Sequence, residues 1–229
     1  GADDQYDFLI LSHGKSLSKR SLTKRTLCYD LASVKVVFST GETMRYSVSH
    51  KQQTRDKLLQ SSAALAKKEG FASVGVDGLM KAIGLSGGAF YSHFSSKDAL
   101  FSSIVEHELS QSLERLGEGA VQSRERLARC LKIYLSMAHV EQVQDGCALP
   151  SMGAEIARAD IAVRQQAQEW ICRLQANWAR TLESDSLAWA ILSQCVGALV
   201  VARMMVDPHV QAQVLSSSYN ELSQKIAQQ

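Results

Sequence analysis

Between Gly70 and Leu100 the chain reads GFASVGVDGLMKAIGLSGGAFYSHFSSKDAL, and its residue types suit contact with a polyanion. At Gly87, Gly88 and Ala89 the side chains are minimal, so backbone can come close to a partner surface. Tyr91, Ser92 and His93 follow with hydrogen-bonding groups, and Lys97 adds a cation. Phe90 and Phe94 are four residues apart and share a helix face, where they can pack inward with Leu79, Ile83 and Leu85. The opposite face suits a DNA major groove, with Tyr91, His93 and Lys97 reaching phosphates. Lys97 lies on the first turn of its helix, where a cation opposes the helix dipole, so an anionic partner would explain it.

Holding these groups requires two short helices joined by a tight turn. The spacing predicts one helix over Val76–Ile83, stopped by Gly84, and a second from after Ser86 to about His93. A preceding helix starts at Thr54, a plausible N-cap with Asp56 in its first turn, and ends at Gly70. Ser95-Ser96-Lys97-Asp98 reads as a capping box that opens a helix from about Lys97 to Leu116.

Leu85-Ser86-Gly87-Gly88-Ala89-Phe90-Tyr91-Ser92-His93-Phe94, followed by Ser96-Lys97-Asp98-Ala99-Leu100, resembles the TetR/AcrR family of bacterial transcriptional regulators. Thr54-Arg55 and Gly70-Phe71 also match the start and end of that family's first helix, so the resemblance covers residues 54–101. It implies an all-α protein with an N-terminal three-helix helix-turn-helix domain and a C-terminal helical domain for effector binding and dimerisation. Double-stranded operator DNA would be contacted by Thr54, Gly75, Val76 and Ser86, together with Gly87 to Ala89, Tyr91 to His93 and Lys97. Two positions depart from the pattern. Gly75 replaces a capping Ser or Thr, leaving its backbone N–H as donor, and Gly87 replaces a frequently basic residue.

Charge divides along the chain in the same sense. Residues 51–101 carry 7 basic and 4 acidic groups, while residues 102–229 carry 11 and 14. A basic small domain (50–101) beside a mildly acidic larger one (102–229) fits a polyanion contact at one end. Residues 1–49 have no helical period. Lys35–Thr40 and Thr43–Ser49 alternate about Gly41-Glu42 like a β-hairpin. Alternatively, Met44 is the natural start and residues 1–43 an upstream extension, so the segment reads as a weakly structured tail.

The larger region continues in helical periods. Leu127, Leu131, Tyr134/Leu135 and Ala138 form one apolar stripe; Ala167, Trp170/Ile171, Leu174, Trp178 and Leu182 form another. The resemblance implies a small-molecule pocket here, for which Tyr134, Met137, Met152, Trp170 and Trp178 supply soft or aromatic surface. Asp145 to Pro150 is similar to a Gly-Cys segment of one family subset, with Pro150 natural near a helix start. Cys147 reads either as a buried small hydrophobe or as a thiol sensing electrophiles or oxidants. Residues 187–206 are apolar nearly all round. With Gln194 and Arg203 inside, a helix buried in a bundle or dimer fits better than a membrane span. The last two helices resemble the family's dimerisation pair, through Leu187, Ile191, Ala198, Val201, Ala202, Val214 and Leu222.

Other classes find less support. No P-loop, HExxH or GxGxxG motif is present, and His107 points away from Glu106 and Glu108, so neither enzyme, cofactor nor metal chemistry is expected. Five cysteines without a CxxC pair argue against a zinc ribbon or disulfide framework and for a reducing cytoplasm. No signal-peptide pattern opens the chain. The expectation is a homodimeric, ligand- or redox-responsive regulator of transcription, most simply a repressor. A helical interaction module without DNA binding is the alternative.

Overall fold

The structure is a computed structural model that describes residues 40–117 and 123–228, with side chains from His50 onward. Of the weakly structured tail expected over residues 1–49, residues 1–39 lie outside the described residues, and residues 40–49 are helical instead. All regular elements among the described residues are helical.

Helix α1 spans Thr40–Glu69. Thr43–Ser49 is thus helical rather than the second strand of a hairpin. Extending an existing helix avoids the cost of a new nucleus, whereas an isolated hairpin is marginal without a partner surface. Thr54 is consequently not an N-cap; its hydroxyl donates to the His50 carbonyl at 2.9 Å within the helix. The end falls where expected: Gly70 takes φ +83°, and its N–H returns to Ala66 O at 3.0 Å.

Helix α2 is Val76–Ala82. It ends in a Schellman arrangement, with Gly84 at φ +76° donating to Lys81 O and Leu85 N–H donating to Met80 O at 2.9 Å. That turn leaves Leu85 38% exposed instead of inward. A 3₁₀ helix, Gly87–Ser92, follows in place of the expected α-helix and buries Phe90. Helix α3, Lys97–Leu116, is capped by Ser96, whose Oγ accepts from Ala99 N at 3.0 Å. Ala99 occupies the position where a capping box needs Glu or Gln, so the cap works in one direction only.

The remaining helices are α4 (Arg124–Tyr134), α5 (Met137–Glu141), α6 (Leu149–Arg158), α7 (Ile161–Leu182), α8 (Asp185–Met204) and α9 (Pro208–Ala227). The first apolar stripe is split between α4 and α5 because Leu135 leaves helical geometry and Ser136 caps α5, accepting from His139 N. Pro150 lies in the first turn of α6.

Two apolar cores result. The first joins α1, α2, the 3₁₀ helix and the N-terminal half of α3 to Met152 and Ile156 of α6 and Val163 and Ala167 of α7. The second packs Leu113, α4 and the C-terminal half of α7 against α8 and α9. Trp170 and Ile171 touch both. Helix α3 runs unbroken across residues 101–102, where the composition changes, so the basic segment shares its core with α6 and α7. Helix α8 is long and apolar enough to cross a membrane, but 44% of that window is buried inside the protein.

Candidate nucleic-acid interface and effector cavity

The helix-turn-helix presents a small-residue surface with a polar margin. Around Gly88 and Gly75 there is open space where a side chain would begin. Gly87 differs: a Cβ there would collide with the Asp77 carboxylate, so glycine permits the close approach of the 3₁₀ helix to α2. Val76 and Ala89 are half-buried and pack on the first core, while Ser86 is exposed. Tyr91 is 67% exposed, its ring edge-on to buried Phe90. The Ser92 hydroxyl donates to Ala89 O at 2.7 Å.

His93 brings the interface to α1. Its Nδ1 is buried without a partner among the described residues. Burial, then the charges of Lys51 and Arg55, hold its pKa below the ordinary histidine value. Arg55 also stacks over the Phe94 ring at 4.4 Å. Lys51 is thus a basic margin that the sequence reading missed, because it set the helix start at Thr54. Lys97 is already engaged: its Nζ donates to Ala72 O at 3.2 Å and sits 4.8 Å from the Phe71 ring centroid. An intramolecular acceptor therefore accounts for a cation on the first turn of α3, without a phosphate.

Of the six residues expected at an effector pocket, the structure brings two together. Tyr134 and Cys147 line a cavity of about 270 Å³ bounded by the C-terminal end of α3, by α4 and α5 and by the loop into α6. Met152 and Trp178 instead fill the two cores, Trp178 donating from Nε1 to Leu116 O at 2.6 Å. Met137 and Trp170 pack at the core margins. Large apolar side chains at helical spacing face neighbouring helices, where they leave the most surface out of water.

His139, absent from the expected set, organises the cavity. Its Nδ1–H donates to Tyr134 O at 2.8 Å, and its Nε2 accepts from Cys147 N at 2.9 Å, which fixes the neutral tautomer. Its pKa is lowered chiefly by burial; the Tyr134 bond opposes this, and the charges of Arg203, Arg115 and Lys67 add to it. Gly146 is close by, and a Cβ there would come within 2.5 Å of the imidazole. Burial, then neighbouring Cys147, pushes the Tyr134 hydroxyl well above its usual pKa. The Cys195 thiol on α8 is pushed up to about 12, first by burial and then by Cys147.

Two polar contacts join this region to the helix-turn-helix. Lys67 of α1 reaches Glu108 at 2.9 Å and the Gly146 carbonyl at 3.2 Å. Glu155 of α6 accepts from Phe71 N at 3.0 Å and Ala72 N at 2.8 Å. Sequence gave no signal for the first, since Lys67 and Glu108 are 41 residues apart.

The expected dimerisation residues divide. Leu187, Ile191, Ala198, Ala202 and Leu222 are buried in the protomer's own second core, which removes them from an interface; Val214 packs partly against it. Val201 is exposed, as are Trp189, Val200, Met204 and Val206, and space above Gly197 is open. The apolar surface is real, but it lies on the opposite side of α8.

Residues 58–104 match the model of the bacterial regulatory proteins of the tetR family. The uncharacterized HTH-type transcriptional regulator YerO of Bacillus subtilis is 33% identical over 64 residues, 28% of this chain and 22% of that protein. The HTH-type transcriptional regulator UidR of Escherichia coli K12 is 31% identical over 67 residues, 29% of this chain and 34% of that protein. The matched stretch thus spans between a fifth and about a third of these relatives' length. Among solved structures, a TetR transcriptional regulator from Chloroflexus aurantiacus superposes with TM-score 0.68 at 22% identity, covering 79% of this chain and 98% of that one. The reduced form of Escherichia coli NemR gives TM-score 0.63 at 20% identity, covering 74% and 95%. These structures share the fold, and both named relatives are described as HTH-type transcriptional regulators.

Proposed function

We propose, from the premise that residues 58–104 carry the helix-turn-helix of the tetR family, that this chain is a DNA-binding regulator of transcription that acts in the cytoplasm as a homodimeric repressor. The observation that carries this reading is the surface of the 3₁₀ helix Gly87–Ser92: open at Gly88, exposed at Tyr91 and flanked by Lys51, Arg55 and His93. Small residues admit the duplex backbone closely, and the tyrosine and cations at the margin reach phosphates. Paired through the outer face of α8, two such helices address successive major-groove half-sites of a pseudo-palindromic operator, about 34–36 Å apart.

A small molecule in the Tyr134–Cys147 cavity is the effector in this reading. The Lys67–Gly146 and Glu155–Phe71/Ala72 bonds support it, because they tie the cavity wall and the helix after it to the end of α1. An effector that binds better when these bonds are rearranged shifts the dimer toward a spacing the operator does not fit. Cys147, buried yet at the cavity wall, serves as packing or as the site of thiol modification.

The test is fluorescence anisotropy with DNA from the neighbouring promoter, against a shuffled fragment of equal length. Sequence-dependent binding that falls steeply with salt supports the reading. Equal, weak binding to both fragments overturns it. That result would favour an interaction module, a reading helped by the engagement of Lys97 with Ala72.

A further inference from the structure

The charges around the Tyr134–Cys147 cavity do not cancel. Lys67 and Glu108 neutralise each other at 2.9 Å behind the wall. Arg115 and Asp145 stand at the exposed rim and offset one another in number. Arg203 of α8 is left over, 3.5 Å from where a Gly146 Cβ would be. Its Nη1 donates to Ser151 Oγ at 2.9 Å and its Nη2 to His139 O at 2.7 Å, both neutral acceptors. Its Nε is buried without a partner among the described residues. A half-buried guanidinium paired only with neutral groups leaves a positive field over this wall, strengthened by the reduced dielectric.

The hydrogen-bonding inventory points the same way. Both ring nitrogens of His139 are committed, so the imidazole offers a ligand neither base nor acid. Arg115 spends only its Nε on Gln111 O at 3.3 Å, and no carboxylate among the described residues pairs with it. Ser136 accepts from His139 N and keeps its own O–H to donate. Leu116, Ile133, Ala138 and the Tyr134 ring supply an apolar wall, the Ser112 hydroxyl is spent on Glu108 O, and Gln142 and Asp145 stand exposed at the rim. The volume of about 270 Å³ falls just under the roughly 300–1,000 Å³ of pockets for drug-sized ligands.

We propose that this cavity binds a compact organic acid, its apolar body against Leu116, Ile133 and Tyr134 and its carboxylate toward Arg115. The proposal rests on reading the cavity as the effector site and narrows that site to one class of ligand. An amine of the same shape meets the Arg203 field with the wrong sign. The corresponding alcohol keeps the apolar contacts and loses the charge-assisted bond to Arg115.

Three probes that share one apolar body test this: 4-ethylbenzoate, 4-ethylbenzyl alcohol and 4-ethylbenzylamine, each titrated at pH 7.5 by calorimetry and thermal shift on the full chain without DNA. The acid is expected to bind at least tenfold tighter than the alcohol, and the amine to give no shift. Arg115→Met, at an exposed position, is expected to erase the acid's advantage, and Arg115→Lys to restore part of it. Ala138→Phe, at the exposed rim, is expected to weaken acid and alcohol alike and so locate both in this cavity. An amine that binds as well as the acid, an acid preference that survives Arg115→Met, or no binding of any probe at millimolar concentration would overturn the proposal. Operator binding, measured separately, keeps the two readings apart. DNA binding without acid binding defeats the ligand class alone, and acid binding without DNA binding defeats the regulator.

Discussion

The Nζ of Lys67 lies 2.9 Å from Oε2 of Glu108, with the two side chains only 5% and 6% exposed. Removing one member of a buried pair strands the other charge, a loss of about 3–5 kcal/mol. Lys67→Met is therefore expected to lower the urea midpoint sharply, and Lys67→Met/Glu108→Leu to recover most of it. A double variant no more stable than the single one would place the loss elsewhere.

Glu155 holds the turn between α1 and α2 through two backbone N–H groups. Glu155→Ala is expected to cost about 1–3 kcal/mol, the penalty of leaving such donors without their acceptor. Hydrogen exchange should accelerate at Phe71 and Ala72 first. Unchanged protection at those two amides would show that the Glu155 carboxylate is not what shields them.

His139 gives stability a pH dependence of known sign. Its folded pKa is lowered by burial, opposed by the Tyr134 bond and reinforced by Arg203, Arg115 and Lys67. The unfolded chain therefore takes up the proton first as pH falls. Stability from this group is whole above the ordinary histidine value of about 6.5 and is lost as pH falls from there through the folded pKa. Urea midpoints at pH 7.5 and 5.5 are expected to differ more in the wild type than in His139→Asn. His93, lowered for a similar reason, contributes in the same direction and is the control to substitute next.

Tyr91 should separate binding from folding. Because it is largely exposed, Tyr91→Ala is expected to change stability by no more than about 0.5 kcal/mol. Loss of a phosphate hydrogen bond worth about 1–1.5 kcal/mol would weaken operator affinity about tenfold for each protomer of the dimer, with Tyr91→Phe reproducing most of the effect. Undiminished affinity in both variants would remove Tyr91 from the interface.

The outer face of α8 carries the prediction for assembly. Met204 is 66% exposed beside exposed Val200 and Val201. Trp189→Lys/Met204→Lys is expected to shift sedimentation from dimer to monomer without lowering helix content. Leu222→Ala, in the protomer core, should instead lower stability by about 2–5 kcal/mol.

Local chemistry was legible in the sequence wherever one or two residues decide the backbone. Gly70 and Gly84 supply positive φ, Ser96 caps α3 and Pro150 opens α6, each within a few residues of where spacing put it. The second motif helix was placed correctly but is 3₁₀, since two adjacent glycines weaken the case for a full α-helical turn. What sequence could not decide was direction around a helix. An apolar residue at helical spacing is equally a core residue, a pocket wall or an interface. Thus Met152 and Trp178 went to the cores, and five of the seven interface candidates to the protomer interior. The places of His139 and Arg203 beside the cavity have no signal in the sequence because they depend on partners fixed only by folding.

Helix α3 has one end at the helix-turn-helix and the other, at Ser112, Arg115 and Leu116, in the wall of the cavity. Between them Ile104 and Val105 are fully buried, so a tilt of the helix would pivot there. At 1.5 Å per residue, a tilt of about 5° about that point swings the Lys97 end through roughly 1 Å. A guest wedged against Leu116 would thus work a lever, and two such levers related by a dimer's two-fold axis would double the misfit along the duplex.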